Sequence, residues 1–292
     1  MVVSIITAYY KGKEYMRDYA RMIRRNAARL NSGDSIEVIL VNDSPDEEID
    51  IEINCENVEL KIINNPSNMG IHRTRINGLG ESSGEYVIFL DQDDLLGKNA
   101  IRTYIENANH KEEVLVCNAA LGQKEGYLKW YRSKYHTKRI GDIQCYCDVG
   151  TQIISPGHCC IYKKAIPIEW TEYICTYNGA DDYFLWLLML SRNVEFRYID
   201  KVLYLHKYTG SNLSSDTRVT DVSTIEFCNY LDEIEYFPYE YVKALRKMID
   251  YKAKFRMGNK KDKIVISSKN FGILGRNMVY KFMTRTPLGF NR

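Results

Sequence analysis

Residues Glu85–Asp94 read Glu-Tyr-Val-Ile-Phe-Leu-Asp-Gln-Asp-Asp. Five apolar or aromatic side chains, Tyr86 to Leu90, pass without a charge and then meet three carboxylates in four positions, Asp91, Asp93 and Asp94. An uninterrupted apolar run of this length, rich in β-branched and aromatic residues, predicts a strand buried on both faces. Carboxylates this close repel one another unless a cation or hydrogen bonds compensate. A buried strand that delivers acids at its C-terminal end places them where an open α/β sheet keeps its ligand site. The stretch therefore predicts both a fold class and the location of the chemistry.

The same pattern precedes it. Val2–Thr7 is an apolar strand that turns out through Ala8-Tyr9-Tyr10-Lys11-Gly12. Tyr15, Tyr19, Met22, Ile23, Ala27 and Leu30 then follow at helical spacing. Ile36–Val41 and Val58–Ile63 read as further strands, and Ile71–Glu81 as a helix leading to the central strand. This alternation predicts a doubly wound, mostly parallel α/β sheet. The first, second and fourth strands should bring Tyr9, Asp43 and Asp91 to one edge. Lys98–Asn109 reads as a helix, Val114–Asn118 as a strand and Val194–Leu205 as two short strands. Residues 121–150 are tyrosine-rich with weak periodicity and read as a loop over the site. Asp181-Asp182 open an apolar helix, Tyr183–Leu190.

Composition narrows the class. No run approaches the roughly 18 apolar residues of a membrane span, and no signal-peptide pattern precedes the first strand. The eight cysteines form no CxxC pair, and several lie in apolar runs, which predicts reduced, buried thiols and a cytoplasmic protein. The net charge of +2 conceals a strong polarity: residues 243–292 carry 14 Lys and Arg against 2 acids. Such a segment predicts a helical basic extension, residues 216–292, that meets something acidic.

Several ordered motifs resemble the family 2 glycosyltransferases of GT-A fold. Ser-Ile-Ile-Thr-Ala-Tyr-Tyr is similar to the family's opening strand, and Val41-Asn42-Asp43-Ser44 to its strand-end acidic element, with Asn42 in place of the first Asp. Asn68-Met-Gly-Ile-His-Arg-Thr-Arg-Ile-Asn77-Gly resembles its next segment, one residue longer. Gly84-Glu-Tyr-Val-Ile-Phe-Leu-Asp-Gln-Asp-Asp is similar to the strand carrying the family's DxD motif, here Asp91 and Asp93. Asp181-Asp182 looks like its "ED" helix start, and Tyr204-Leu-His206 with Ser211-Asn212-Leu213-Ser214 like its closing motif. The resemblance covers about Val2 to Ser215. It implies a Rossmann-like GT-A domain over 1–215, with a nucleotide-binding half (1–120) and an acceptor-binding half (121–215).

The resemblance also implies roles. Thr7, Tyr9, Asp43 and Arg75 stand where the family binds nucleotide, with Asp91 near the ribose and Asp93 on a Mn²⁺ or Mg²⁺ ion. Hard cations of this kind take few protein carboxylates and leave positions for phosphate oxygens. Asp43 could also accept from a uracil imide, or simply form the turn before Ser-Pro. Tyr9 could stack on a base, or be a core-edge aromatic. Asp182 is the candidate general base, because in-line attack needs a proton acceptor across the sugar from the diphosphate. A plain helix-start role is the alternative. His206 is a candidate third metal or diphosphate ligand, or a structural histidine. Asp181 and His158 are candidate acceptor contacts, and Asp94 reads as the cap of the following helix.

The expected activity is inverting, metal-dependent transfer from a nucleotide sugar, a UDP-sugar foremost, to a glycan or lipid-linked acceptor in surface polysaccharide synthesis. The rivals are a non-catalytic sugar-nucleotide-binding or membrane-scaffolding protein and a nucleotidyltransferase-type enzyme. The latter lacks its Gly-rich, basic phosphate loop after the first strand. For the basic tail, an anionic membrane surface at the inner face of the membrane, a homo-oligomer contact and a plain solvated helix all stay open. Nucleic acid is disfavoured because no recognised module accompanies the charge.

Overall fold

The structure, a computed structural model, describes residues 1–123, 126–207 and 217–285. Ser211 to Ser214 of the closing motif lie outside them. In chain order the elements are β1 (Val2–Tyr9), α1 (Lys13–Ala27), β2 (Ser35–Asn42), β3 (Val58–Asn64), α2 (Ile71–Glu81), β4 (Tyr86–Phe89), β5 (Leu95–Leu96) and α3 (Ala100–Asn107). There follow β6 (Glu113–Gln123), β7 (Gly126–Lys129), α4 (Lys134–Thr137), α5 (Ile143–Val149), β8 (Cys159–Tyr162) and α6 (Ile168–Glu172). The chain continues with α7 (Asp181–Ser191), β9 (Glu195–His206), α8 (Thr217–Leu231), α9 (Tyr239–Met257), α10 (Lys260–Lys269) and α11 (Phe271–Thr284). They fall into two compact units. The first combines Met1–Trp130, Ile153–Ile174 and 194–207; the second combines Tyr131–Gln152, Cys175–Asn193 and 217–285.

The first unit is built on one sheet of order β3-β2-β1-β4-β8-β6-β9-β5, with β7 paired to β6. β3, β2, β1 and β4 run parallel, as do β6 and β9. Antiparallel pairs enter only through the short strands β5, β7 and β8. The periodicity of α1 is realised as a buried stripe of Met16, Tyr19, Met22, Ile23 and Ala27. All four residues of β4 are buried, as its charge-free run predicts. Register aligns the strand ends: Tyr9 pairs with Asn42, Asp43 N–H donates to Tyr9 O at 2.8 Å, and Leu90 N–H donates to Ile6 O at 2.9 Å. Tyr9, Asp43 and Asp91 therefore emerge at one edge.

Two local expectations are corrected. Val194–Leu205 is one strand, not two, because the polar pair Asp200-Lys201 is taken up as a bulge: Ile199 pairs with Cys117 and Val202 with Asn118. Such an extra stretch bends a strand without ending it. Residues 121–150 are not a loop. β6 and β7 form a hairpin, and two short helices follow. Ser133 caps α4 by accepting from His136 N–H, and the Asp142 carboxylate caps α5 by accepting from Cys145 N–H. These side chains satisfy N–H groups that lack a partner in the first turn, so helices too short for visible periodicity still form.

The second unit is helical. α7 is apolar all round and is buried from Tyr183 to Leu190. Phe184 stacks on Phe227 of α8 at 5.4 Å between centroids, and Tyr183 OH donates to Tyr146 O of α5 at 2.5 Å. Lys252 of α9 donates to Val149 O at 2.7 Å. Seven of the eight cysteines are buried, and all eight are free. Among the described residues no helix is long and apolar enough to cross a membrane.

Candidate functional site

At the end of β4 the chain turns tightly, with Asp94 N–H donating to Asp91 O at 3.1 Å. The three carboxylates that this turn gathers have different surroundings. Asp91 is claimed from two sides: Arg75 Nη2 of α2 donates to Oδ1 at 2.7 Å, and Ser155 Oγ donates to Oδ2 at 3.3 Å. Burial still raises its pKa above the usual carboxylate value, against the pull of the Arg75 guanidinium. Asp94 is fully buried and faces β9, where it accepts from Tyr204 OH and from Lys207 N–H at 2.8 Å, with His206 Nδ1 at 3.1 Å. It is not the helix cap expected, since α3 begins after Asn99. Its carboxylate ties the acidic turn to β9 and orients the His206 ring by one nitrogen, as second partners of metal-binding histidines do.

Asp93 differs from both. Among the described residues its carboxylate takes a hydrogen bond only from its own backbone N–H, and the His206 ring gives it a small opposing pull. Burial, then the charges of Asp94 and Asp91, push its pKa up to about 6. A half-buried carboxylate held against two others is chemically suited to an external cation.

Gln92, between the two acids of the motif, reaches the turn after β1. Its side-chain amide accepts from Tyr10 N–H at 3.0 Å and donates to Tyr10 O at 2.9 Å. On the other side Ser44 Oγ accepts from Lys11 N–H at 2.9 Å, holding Lys11 at φ 47° in the left-handed region. Gly12 makes the approach feasible: a Cβ there would lie 2.2 Å from Gln92 Oε1. The aromatic presented at this edge is Tyr10, 45% exposed, with the Lys11 ammonium 5.4 Å from its ring.

The remaining residues singled out in the sequence occupy defined places. Thr7 is buried, its hydroxyl 2.9 Å from Tyr19 OH. Tyr9 is also buried; its OH donates to Glu47 at 3.3 Å, and burial followed by the Glu47 charge raises its pKa. Asp43 anchors the Asn68-Met69-Gly70 turn: Oδ1 accepts from Asn65 Nδ2 at 2.8 Å and Met69 N–H at 2.7 Å, and Oδ2 from Gly70 N–H at 3.0 Å. His158 is fully buried, with its ring 5.6 Å from that of Tyr204. Gly157 permits that packing, since a Cβ there would meet Tyr204 at 2.6 Å. The first unit thus brings together Arg75, Asp91, Asp93, Asp94 and His206. Asp181 and Asp182 stand in the second unit, in the first turn of α7, where N-terminal peptide dipoles favour carboxylates. Ser155, Gln92 and Tyr204 were not foreseen as site residues. Ser155-Pro156-Gly157 carried a turn signal, whereas nothing in the sequence pairs Gln92 with Tyr10.

Among the described residues no group of three or more His, Cys, Asp or Glu is arranged to hold a metal. The donor set nevertheless suits Mg²⁺ or Mn²⁺. Asp93 offers one hard oxygen ligand and Asp91 a second, and such ions fill their other positions from phosphates and water. His206 adds a borderline nitrogen that Mn²⁺ accepts.

The comparisons agree with this architecture. The family described as Glycosyl transferase family 2 matches residues 4–167, more than half of the chain. A curated relative, the putative glycosyltransferase EpsH of Bacillus subtilis (strain 168), is 28% identical over 121 residues, covering 40% of this chain and 33% of EpsH. The match therefore spans a third of that relative's length. The crystal structure of S. aureus TarS 1-349 in complex with UDP-GlcNAc is similar with a TM-score of 0.56 and 14% identity, over 88% of this chain and 74% of TarS. The mannosyltransferase PcManGT from Pyrobaculum calidifontis, in complex with GDP-Man and Mn²⁺, gives 0.52 and 11% over 97% and 84%. At such identity these two likenesses concern the fold, which is that of GT-A enzymes. From its buried acidic strand, its sheet order and the profile matched across Ser4 to Pro167, this chain belongs to glycosyl transferase family 2 and is a glycosyltransferase.

Proposed function

We propose that the enzyme is an inverting, metal-dependent transferase that moves a sugar from a UDP-sugar to a glycan or lipid-linked acceptor of a surface polysaccharide. The observation that carries the metal-dependent part is the acidic turn itself, where Asp93 is half-buried against Asp94 and Asp91 and is pushed up to about 6. Asp93 and Asp91 would hold Mn²⁺ or Mg²⁺, with His206, oriented by Asp94, as the candidate third ligand. When bound, such an ion supplies Lewis-acid stabilisation for a leaving diphosphate. Asp91 also lies at the ribose in this reading, with Arg75 fixing its rotamer. Thr7, Tyr9 and Asp43 shape the nucleotide edge from within: two are buried strand residues, and the third anchors the 68–70 turn.

Asp182 takes the proton of the attacking hydroxyl, a role that calls for a positioned carboxylate with access to the acceptor. Asp181 is assigned to the acceptor side, as is His158 through the 155–158 turn that it backs. UDP is favoured by the TarS likeness, whose structure holds UDP-GlcNAc. A GDP-sugar is the second reading, because PcManGT holds GDP-Man. In this reading the basic C-terminal helices meet an anionic membrane at its cytoplasmic face.

The test is a panel of UDP-, GDP- and TDP-sugars offered to the purified chain with Mn²⁺. At least one should be slowly hydrolysed, and Asp182→Asn should abolish transfer while changing nucleotide affinity by no more than about twofold. A chain that binds a donor yet never turns it over would support the non-catalytic rival. A chain that binds none would end the donor assignment.

A further inference from the structure

The C-terminal helices of the second unit carry large apolar side chains on their outside. Met257, Ile264, Phe271, Met278 and Phe282 are 63–82% exposed. In α11 the arrangement is regular. Phe271, Met278 and Phe282 follow at i, i+7 and i+11, and with Gly275 they fall within an arc of roughly 60° at 100° per residue. The inward side of the same helix is a separate stripe, Ile273, Tyr280 and Thr284, all buried. α11 is therefore apolar on two opposite sides, and among the described residues only one of them is buried.

The exposed stripe does not belong to a loosely held segment. Tyr280 OH donates to Gln152 Oε1 at 2.6 Å and lies 3.2 Å from His136 Nε2. Ser133 Oγ donates to Met283 O at 2.8 Å, and Arg132 donates to Arg285 O at 2.9 Å. These contacts set the rotation of α11 about its axis and so fix which side faces out.

Charge selects the occupant. From 257 to 285 the sequence has seven Lys and Arg and one acid, Asp262, whose carboxylate is engaged in the capping box of α10 with Asn259. On α11, Lys281 and Arg285 lie beside the exposed stripe, whereas Arg276 lies toward the buried side and pairs with Asp148 at 3.4 Å. A second copy docked on this face by a two-fold axis would bring the same positive patch against itself, which costs free energy. An anionic bilayer meets both demands at once: acyl chains for the aromatic stripe and lipid phosphates for the flanking cations.

We propose that the outward stripe of α11, Phe271, Met278 and Phe282, inserts into the interface of an anionic membrane, with Lys281 and Arg285 at headgroup level. This deepens the membrane part of the functional reading above and stands apart from the donor site. Because insertion adds an apolar component, binding is only partly reversed by salt, whereas attraction through charge alone is screened.

The experiment is flotation of the full chain with vesicles of phosphatidylglycerol and phosphatidylcholine, and with phosphatidylcholine alone, at low and high salt. The wild type should float with the anionic vesicles and retain a bound fraction at high salt. The double variant F271S/F282S should lose about tenfold or more in partitioning. Both positions are exposed, so the variant should keep the wild-type melting temperature and nucleotide affinity. Equal flotation of the two proteins would overturn the proposal, as would no flotation of the wild type. So would a wild-type dimer, formed without lipid, that the double variant splits. Loss of nucleotide binding by the wild type, with flotation intact, would count against the donor reading alone.

Discussion

At the scale of single residues, three adjacent acids do three jobs because their neighbours differ. Asp91 is paired with Arg75, Asp94 is held by Tyr204, His206 and Lys207, and Asp93 lies half-buried against the charges of both. Gln92 gives the turn a fourth function by holding the Tyr10 main chain from both its N–H and its C=O. That contact depends on the absence of a side chain at Gly12, where a Cβ would collide with the Gln92 amide. Gly12→Ala should therefore displace Gln92 or the turn, at a cost of about 1–3 kcal/mol in stability. It should also weaken nucleotide binding several-fold, because Tyr10 and the Asp91 turn no longer share a fixed geometry. Calorimetric titration of nucleotide beside a thermal melt checks this. Unchanged affinity in a destabilised variant would show that the contact serves folding only.

At the scale of elements, one buried glutamate joins the parallel strands at the end opposite the site. Glu37 on β2 accepts from Ser4 Oγ on β1, from Lys61 Nζ on β3 at 2.6 Å, and from Ser83 N–H and Oγ before β4 at 2.8 and 2.9 Å. Burial alone would raise its pKa, but the hydrogen bonds from Lys61, Ser4 and Ser83 outweigh it and hold the group near 2, below its ordinary 4.5. A depressed carboxyl pKa contributes stability that is complete above 4.5 and is lost as pH falls toward 2. That contribution is on the order of 3 kcal/mol at neutral pH. Urea melts of wild type and Glu37→Gln should differ widely at pH 7, and the gap should narrow as pH falls below about 4.5 and close toward pH 2. A gap independent of pH would refute the assignment. The strands joined here were legible in the sequence, because buried parallel strands print as charge-free apolar runs with polar residues at their ends. α4 and α5 were not, since one or two turns held by Ser133 and Asp142 leave no period to count. β9 was divided because Asp200-Lys201 looks identical whether it forms a turn or a bulge. Which tyrosine is presented at the site edge was also hidden: β1 is buried on both faces through Tyr9, and exposure begins only at Tyr10.

At the scale of the whole molecule, the family match covers 4–167, while the excess positive charge lies in 243–292. The part that identifies the chemistry and the part that carries the charge are thus separate stretches of chain. The first unit contains the acidic turn with Arg75, Ser155, Tyr204, His206 and Lys207, so the donor assignment can be tested on the intact chain without reference to acceptor or membrane. The most direct test is titration of UDP into wild type and Asp93→Ala, each with and without Mn²⁺. The account predicts that Mn²⁺ strengthens UDP binding by the wild type at least about tenfold, and that Asp93→Ala abolishes this gain while leaving the weak metal-free binding unchanged. An Asp93→Ala protein in which Mn²⁺ strengthens UDP binding as much as in the wild type would contradict it.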